Sequence, residues 1–212
     1  MKKLIIFGNG GHGKSVLDCA LSLNDYSEIA FLIDRDKEKV NTISNFENFY
    51  TDKISIDYLI EKYENIVIAL GDNTKRIKKM NYYKELGFKL ETIIHSSAVV
   101  SKLSEVGEGS VIMANASVNA FSCIGRGCII NTKVNVDHDS KIGEGTHLSP
   151  GVSMGGNVKI GKKTWLGVGC VVRNGIIIGD DSLIGMGSVV TKNIGSGKVA
   201  YGCPCKEIRG NN

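Results

Sequence analysis

From Val106 onward every sixth residue is aliphatic or methionine: Ile112, Val118, Ile124, Ile130, Val136, Ile142, Leu148, Met154, Ile160, Leu166, Val172, Ile178, Ile184 and Val190. Ile94 and Val100 carry the register backwards. Helices repeat their buried positions about every 3.6 residues and strands every second one, so neither explains this spacing. A period of six fits a solenoid whose coil has three short faces, each turning one large apolar side chain inward. Gly107, Gly125, Gly143, Gly161 and Gly179 add a second period of eighteen, one coil, and ease its corners. The fifth hexad position is small or β-branched, from Ser110, Ala116, Ser122 and Cys128 to Ser182 and Ser188, as a crowded inner site requires. Its cysteines read as core fillers rather than reactive thiols. Residues 94–195 are therefore expected to form a parallel β-helix of roughly five coils, followed by a tail over 196–212.

Residues 1–93 follow a different grammar. "KLIIF" reads as a buried strand, "KSVLDCALSL" as a helix, "EIAFLID" as a second strand ending at Asp34, "SIDYLIEKY" as a helix and "NIVIALGD" as a third strand. "TKRIKKMNYYKELGF" then reads as a helix closed by Gly87. Alternating strands and helices predict a small parallel α/β sheet, half the size of a full dinucleotide domain. With 26 glycines against 2 prolines, tight turns are frequent, and a net charge of +4 with interspersed signs is a solvated surface, not a nucleic-acid footprint. The apolar run Leu4–Phe7 is too short for a signal sequence, and no stretch of the chain is long enough to span a bilayer. Six scattered cysteines suit a reduced, cytoplasmic protein, and no metal site is expected.

The first loop, "GNGGHGKS", satisfies two phosphate-binding patterns at once, the dinucleotide fingerprint and the nucleotide-triphosphatase loop. The segment is too small for a triphosphatase and lacks the half-sheet that would hold a nicotinamide. Glycine amides at a helix start bind any diphosphate, that of a nucleotide sugar included.

His138 sits in "NVDHDSKIG" at an outward hexad place, between Asp137 and Asp139. A neighbouring carboxylate orients an imidazole and raises its basicity, which suits a general base for acyl transfer. Adjacent residues on a strand diverge, so the pair needs a bend in the chain. His95 precedes the regular coils and reads as structural. No cysteine or serine stands beside a base in the way a covalent acyl-enzyme requires.

"IGEGTHLSPG", "IGKKTWLGVG", "IGDDSLIGMGSVVTKNI" and "VAYGCPCKEI", joined to "IFGNGGHGKSVLD", resemble the left-handed β-helix hexapeptide acyltransferases. The branch is that of the bacterial nucleotide-4-amino-sugar N-acetyltransferases and the sialic acid O-acetyltransferases. The resemblance implies an acetyl-CoA-dependent enzyme, usually a homotrimer, with His138 as general base and Asp139 where relatives have glutamate. It puts Gly10, Gly11, His12, Asp34, Arg35 and Gly71 against the nucleotide sugar. It puts His147, Gly156, Val168 and Met186 at the acetyl-CoA site, Gly156 offering its N–H to the oxyanion and Met186 departing from the small or aliphatic residues of relatives. The expected reaction is N-acetylation of the 4-amino group of a UDP- or dTDP-linked 4-amino-4,6-dideoxysugar, presented by the α/β domain to His138. The alternatives are O-acetylation of sialic acid or a related sugar, a non-catalytic partner in glycan synthesis, and a zinc carbonic anhydrase, for which the histidines are too few.

Overall fold

The computed structural model describes residues 1–34, 43 and 45–211. They fall into two compact units, Met1–Ser96 and Ser97–Asn212.

In the first unit, β1 (Lys2–Phe7) leads into α1 (Gly11–Leu21), then β2 (Tyr26–Ile33), β3 (Glu47–Tyr50), α2 (Ile56–Tyr63), β4 (Asn65–Ile68), α3 (Asn73–Glu85) and β5 (Lys89–Leu90). The sheet is fully parallel, in the order β3-β2-β1-β4-β5. It has five strands, where the sequence pattern predicted three. The two additional ones are edge strands: Glu47–Tyr50 is only half-buried and Lys89–Leu90 is two residues long, so neither carries an apolar run. The central strands do: Leu4, Ile5, Ile6 and Phe7 are all at most 2 % exposed, as a strand covered on both faces must be. Val16, Leu17, Cys19 and Ala20 are the buried stripe of α1. The chain first adds β2 and β3 on one side of β1 and then crosses to add β4 and β5 on the other. The switch point therefore lies between β1 and β4, where open α/β sheets bind ligands beyond the strand C-termini.

The second unit is a parallel β-helix. Two-residue strands recur every six residues, and each as far as Val171–Val172 pairs in parallel with the strand eighteen residues on, as Asn135↔Ser153 and Val136↔Met154 do. Ile112 and the later members of the hexad series are buried, each at most 3 % exposed. The glycine column has a stricter cause than corner relief. A Cβ on Gly107, Gly143 or Gly179 would lie 2.5, 2.6 or 2.4 Å from the backbone of the following coil, so only glycine lets the coils approach. The small fifth position is more than a size restriction as well. Ser110, Ser122, Thr146 and Thr164 are buried and donate to carbonyls fifteen residues on, at 2.6–2.9 Å. Ser110, Ser122 and Thr164 also accept the N–H eighteen residues on, at 3.0–3.2 Å. Each of these three hydroxyls ties two coils together and is fully paired inside the core. Beyond 195 the chain forms two further strands: Lys198–Gly202 pairs in parallel with Leu183–Ile184, and Cys205–Gly210 turns back antiparallel to it.

Candidate active site

His138 and Asp139 occupy the turn between the strands Asn135–Val136 and Lys141–Ile142. Asp139 has φ +59°, the left-handed conformation that acidic and amide side chains tolerate, and this supplies the bend the pair needs. The shorter arm of aspartate reaches: His138 Nδ1 lies 2.7 Å from Asp139 Oδ2, with both side chains more than half exposed. With Nδ1–H donated to the carboxylate, Nε2 carries the lone pair. The Asp139 hydrogen bond, followed by the Asp137 charge, raises the imidazole pKa.

Two neighbouring coils hold this turn. On the N-terminal side, Asp137 Oδ1 accepts from the Asn119 amide at 2.9 Å and from the His138 N–H at 2.8 Å. Those two bonds, the amide first, hold the Asp137 carboxyl below its ordinary range. Ser122 Oγ donates to Asp137 O and accepts from Ser140 N, bridging both ends of the turn. On the C-terminal side, eighteen residues after His138, stands Gly156. A Cβ there would lie 2.5 Å from His138 Cε1 and 2.6 Å from Nε2, so the absent side chain is the space the imidazole occupies. Among the described residues no hydrogen bond engages the Gly156 N–H, although its carbonyl accepts from Gly175.

His147 is buried in the strand His147–Leu148, stacked on Trp165 with ring centroids 5.3 Å apart and planes at 11°. Its Nε2 is 3.2 Å from Asn131 Nδ2, and Trp165 Nε1 donates to Ser149 Oγ. Asn131, Asn119 and Ser122 were not read from the sequence as site residues. Val168 and Met186, one coil apart, are 54 % and 80 % exposed and form an apolar step at one corner of the helix.

Of the residues expected at the nucleotide sugar, Gly10, Gly11 and His12 follow β1, Asp34 follows β2 and Gly71 follows β4, each beyond a strand C-terminus. Gly8 takes φ +98°, Gly10 caps α1 without a side-chain bond, and Gly11 opens the helix. Gly13 is obligatory, since its Cβ would lie 2.2 Å from the Gly8 carbonyl oxygen. Burial, aided by the Arg76 charge, lowers the His12 pKa to about 4, so the imidazole is neutral at pH 7. Its Nε2 is buried with no hydrogen-bond partner. Gly71 lies across the β1/β4 switch point, in the loop whose Leu70 and Gly71 carbonyls accept from the buried Arg76 guanidinium at 2.8 and 3.2 Å. Asp34 is engaged by Lys79 at 2.8 Å, and Arg35 lies outside the described residues. Among the described residues no group of three or more His, Cys, Asp or Glu could hold a metal ion, and no helix is long and apolar enough to cross a membrane.

Residues 3–83 match the family described as PglD N-terminal domain, and residues 157–192 match the bacterial transferase hexapeptide (six repeats). The acetyltransferase domain of PglB from Neisseria gonorrhoeae FA1090, solved in complex with acetyl coenzyme A, is 35% identical with a TM-score of 0.89, covering 98% of this chain and 99% of that one. The chain belongs to the hexapeptide-repeat sugar acetyltransferases. PerB from Caulobacter crescentus, solved with CoA and GDP-perosamine, is a further relative of this family at 33% identity and a TM-score of 0.89, covering 99% of this chain and 98% of that one. UDP-N-acetylbacillosamine N-acetyltransferase from Bacillus subtilis (strain 168) is 35% identical over 120 residues, which span 54% of this chain and 52% of that protein.

Proposed function

We propose that this chain transfers the acetyl group of acetyl-CoA to the 4-amino group of a UDP- or dTDP-linked 4-amino-4,6-dideoxysugar. The observation that carries the reading is the His138–Asp139 pair at 2.7 Å, with Gly156 leaving room for the ring. Asp139 holds the Nδ1–H tautomer, and His138 Nε2 takes the proton as the amine attacks the thioester carbonyl. The Gly156 N–H is free to donate to the oxyanion of the tetrahedral intermediate, and collapse of that intermediate expels the CoA thiolate. The exposed Val168 and Met186 suit the apolar part of the pantetheine arm, and the buried His147 on its Trp165 platform completes the assigned acetyl-CoA residues.

In the first unit, the glycine amides at the start of α1 take the diphosphate. Neutral His12, with a buried and unpartnered Nε2, supplies one hydrogen bond to the sugar nucleotide. Asp34 and Gly71 sit at strand ends, where the ribose and base of such a ligand are bound in open α/β sheets. We assign a homotrimer, the state that the family resemblance implies, working in the cytoplasm, the place that six scattered cysteines suit. Relatives that are a UDP-N-acetylbacillosamine N-acetyltransferase and a perosamine N-acetyltransferase favour an amine over a hydroxyl acceptor.

Thiol release from acetyl-CoA tests the reading, with UDP- and dTDP-linked 4-amino sugars offered in parallel with free and CMP-linked sialic acid. Turnover with the amino sugars and its loss in His138→Ala are expected. Turnover confined to sialic acids, or near-normal turnover by His138→Ala, overturns it. His12→Ala is expected to raise the acceptor KM; an unchanged KM removes that loop from the site.

A further inference from the structure

One coil before Asp139, at the same corner of the β-helix, stands Phe121. The two corners are joined directly: Asp139 N–H donates to Ala120 O at 3.1 Å, while Asn119 and Ser122 bond to Asp137 and Ser140 on either flank. Successive coils are parallel strands apart, about 4.8 Å. Phe121 is therefore the immediate neighbour of the His138–Asp139 turn on its N-terminal side.

Its presence there costs the fold twice. Phe121 has φ +60°, the left-handed conformation that a bulky side chain disfavours. The other non-glycine residues of this unit in that conformation are Asn115, Asp139, Asn157 and Asp181, which tolerate it, and the polar Lys133 and Lys163; Phe121 is the one apolar side chain among them. The ring is also 65 % exposed and makes no ring contact among the described residues. A single exposed apolar residue is ordinary, and so is a single left-handed one. An exposed aromatic in a strained corner beside the candidate base contributes nothing to the core, and strain of this kind collects at functional sites. Leu103, whose carbonyl accepts the Phe121 N–H, is 61 % exposed and extends the apolar surface one coil further from His138.

The direction along the solenoid selects the ligand. Gly156, the assigned oxyanion donor, flanks His138 on the C-terminal side, as do Val168 and Met186 further on. In an acyl transfer the amine nitrogen must reach both the base and the thioester carbonyl, and its sugar extends away from the carbonyl it attacks, so the body of the acceptor lies toward the other side, where Phe121 stands. We propose that Phe121 is a specificity-determining residue whose ring takes the apolar face of the acceptor sugar, a deoxy amino-hexose, beside His138. Deoxygenation leaves such a sugar with a methyl group and a run of C–H bonds that an aromatic face can cover. The assignment rests on the acetyltransferase reading above.

The test compares wild type, Phe121→Asn and Phe121→Tyr on a nucleotide-linked 4-amino-4,6-dideoxysugar that the wild type acetylates. Asparagine keeps the left-handed corner and removes the ring, so this variant folds at least as stably. Its acceptor KM is expected to rise by about tenfold, the size that one lost apolar contact in a substrate site carries, while the acetyl-CoA KM stays within about twofold. Tyrosine is expected to restore the acceptor KM, and Tm and oligomeric state stay as in the wild type. An unchanged acceptor KM in Phe121→Asn overturns the proposal. So does an effect confined to acetyl-CoA, or a change in oligomeric state, which makes Phe121 a subunit contact. If the wild type acetylates none of the nucleotide amino sugars, the underlying reading fails and this assignment falls with it.

Discussion

At the scale of single residues, two glycines of one solenoid are required for different reasons. A Cβ on Gly143 meets the backbone of the next coil at 2.6 Å, whereas one on Gly156 meets the ring of His138 at 2.5 Å. Backbone cannot move aside, and an exposed imidazole can. Gly143→Ala is therefore expected to lower Tm sharply. Gly156→Ala should keep Tm within about 3 °C of wild type and lose turnover, since the ring is displaced while packing is untouched. Thermal melts beside the thiol-release assay separate the two. Asp139 permits a prediction in pH. General base catalysis needs neutral imidazole, so activity falls as His138 gains a proton on the acid side. Asp139 and Asp137 raise that pKa, which puts the acid limb of kcat/KM above the ordinary imidazole value of about 6.5. Asp139→Asn should move the limb to lower pH and, with the tautomer no longer fixed, lower kcat by about a hundredfold or more. A limb that stays in place shows that the carboxylate does not govern the titrating group.

At the scale of the element, the turn carrying His138 is held by the coil before it as much as by its own chain. Ser122 Oγ accepts from Ser140 N and donates to Asp137 O. Ser122→Ala leaves a buried N–H and a carbonyl unpaired, at a cost of about 2 kcal/mol or a few degrees in Tm, and frees the turn. Its kcat should fall more than its KM rises, which steady-state kinetics on the purified variant checks. This support was legible in part. The hexad made the coils and their inward residues plain, and the eighteen-residue period places 119 beside 137, 122 beside 140 and 138 beside 156. Following that arithmetic from His138 would have found Asn119, Ser122 and the Gly156 clash. The hydroxyls do not announce these bonds, because small size in a crowded site already explains them. The reach of Asp139 was not legible, since it depends on a left-handed φ that an Asp permits without announcing. Strands Glu47–Tyr50 and Lys89–Leu90 were missed for the opposite reason: edge strands bury too little to leave an apolar signature.

At the scale of the whole molecule, the chain joins two kinds of scaffold. A parallel sheet gathers its loops at one end, so residues far apart in sequence, Gly10, Asp34 and Gly71, all follow strand C-termini along one edge of it. A β-helix gathers nothing from afar. Each coil touches only the coils before and after it, so a site on it is built from residues eighteen apart. The histidines follow this division, with His12 in the first unit and His138 and His147 in the second. Removal of one residue from a corner, as in deletion of Gly127, shifts every later hexad out of phase and should abolish cooperative unfolding. Excision of 107–124, one whole coil, should leave a shorter solenoid that still melts cooperatively, as circular dichroism can measure. Equal behaviour of the two deletions contradicts the ladder as the source of stability.

The glycine column gives this architecture an arithmetic of inheritance. Because coils stack at a distance that tolerates no Cβ, the solenoid accepts changes in length only in whole turns, as a screw thread accepts a nut. Point insertions elsewhere on a protein surface drift freely, but within these coils they are eliminated. Descendants of such a chain should therefore differ in coil number by integers, each gained or lost turn moving the base along the axis by one fixed step.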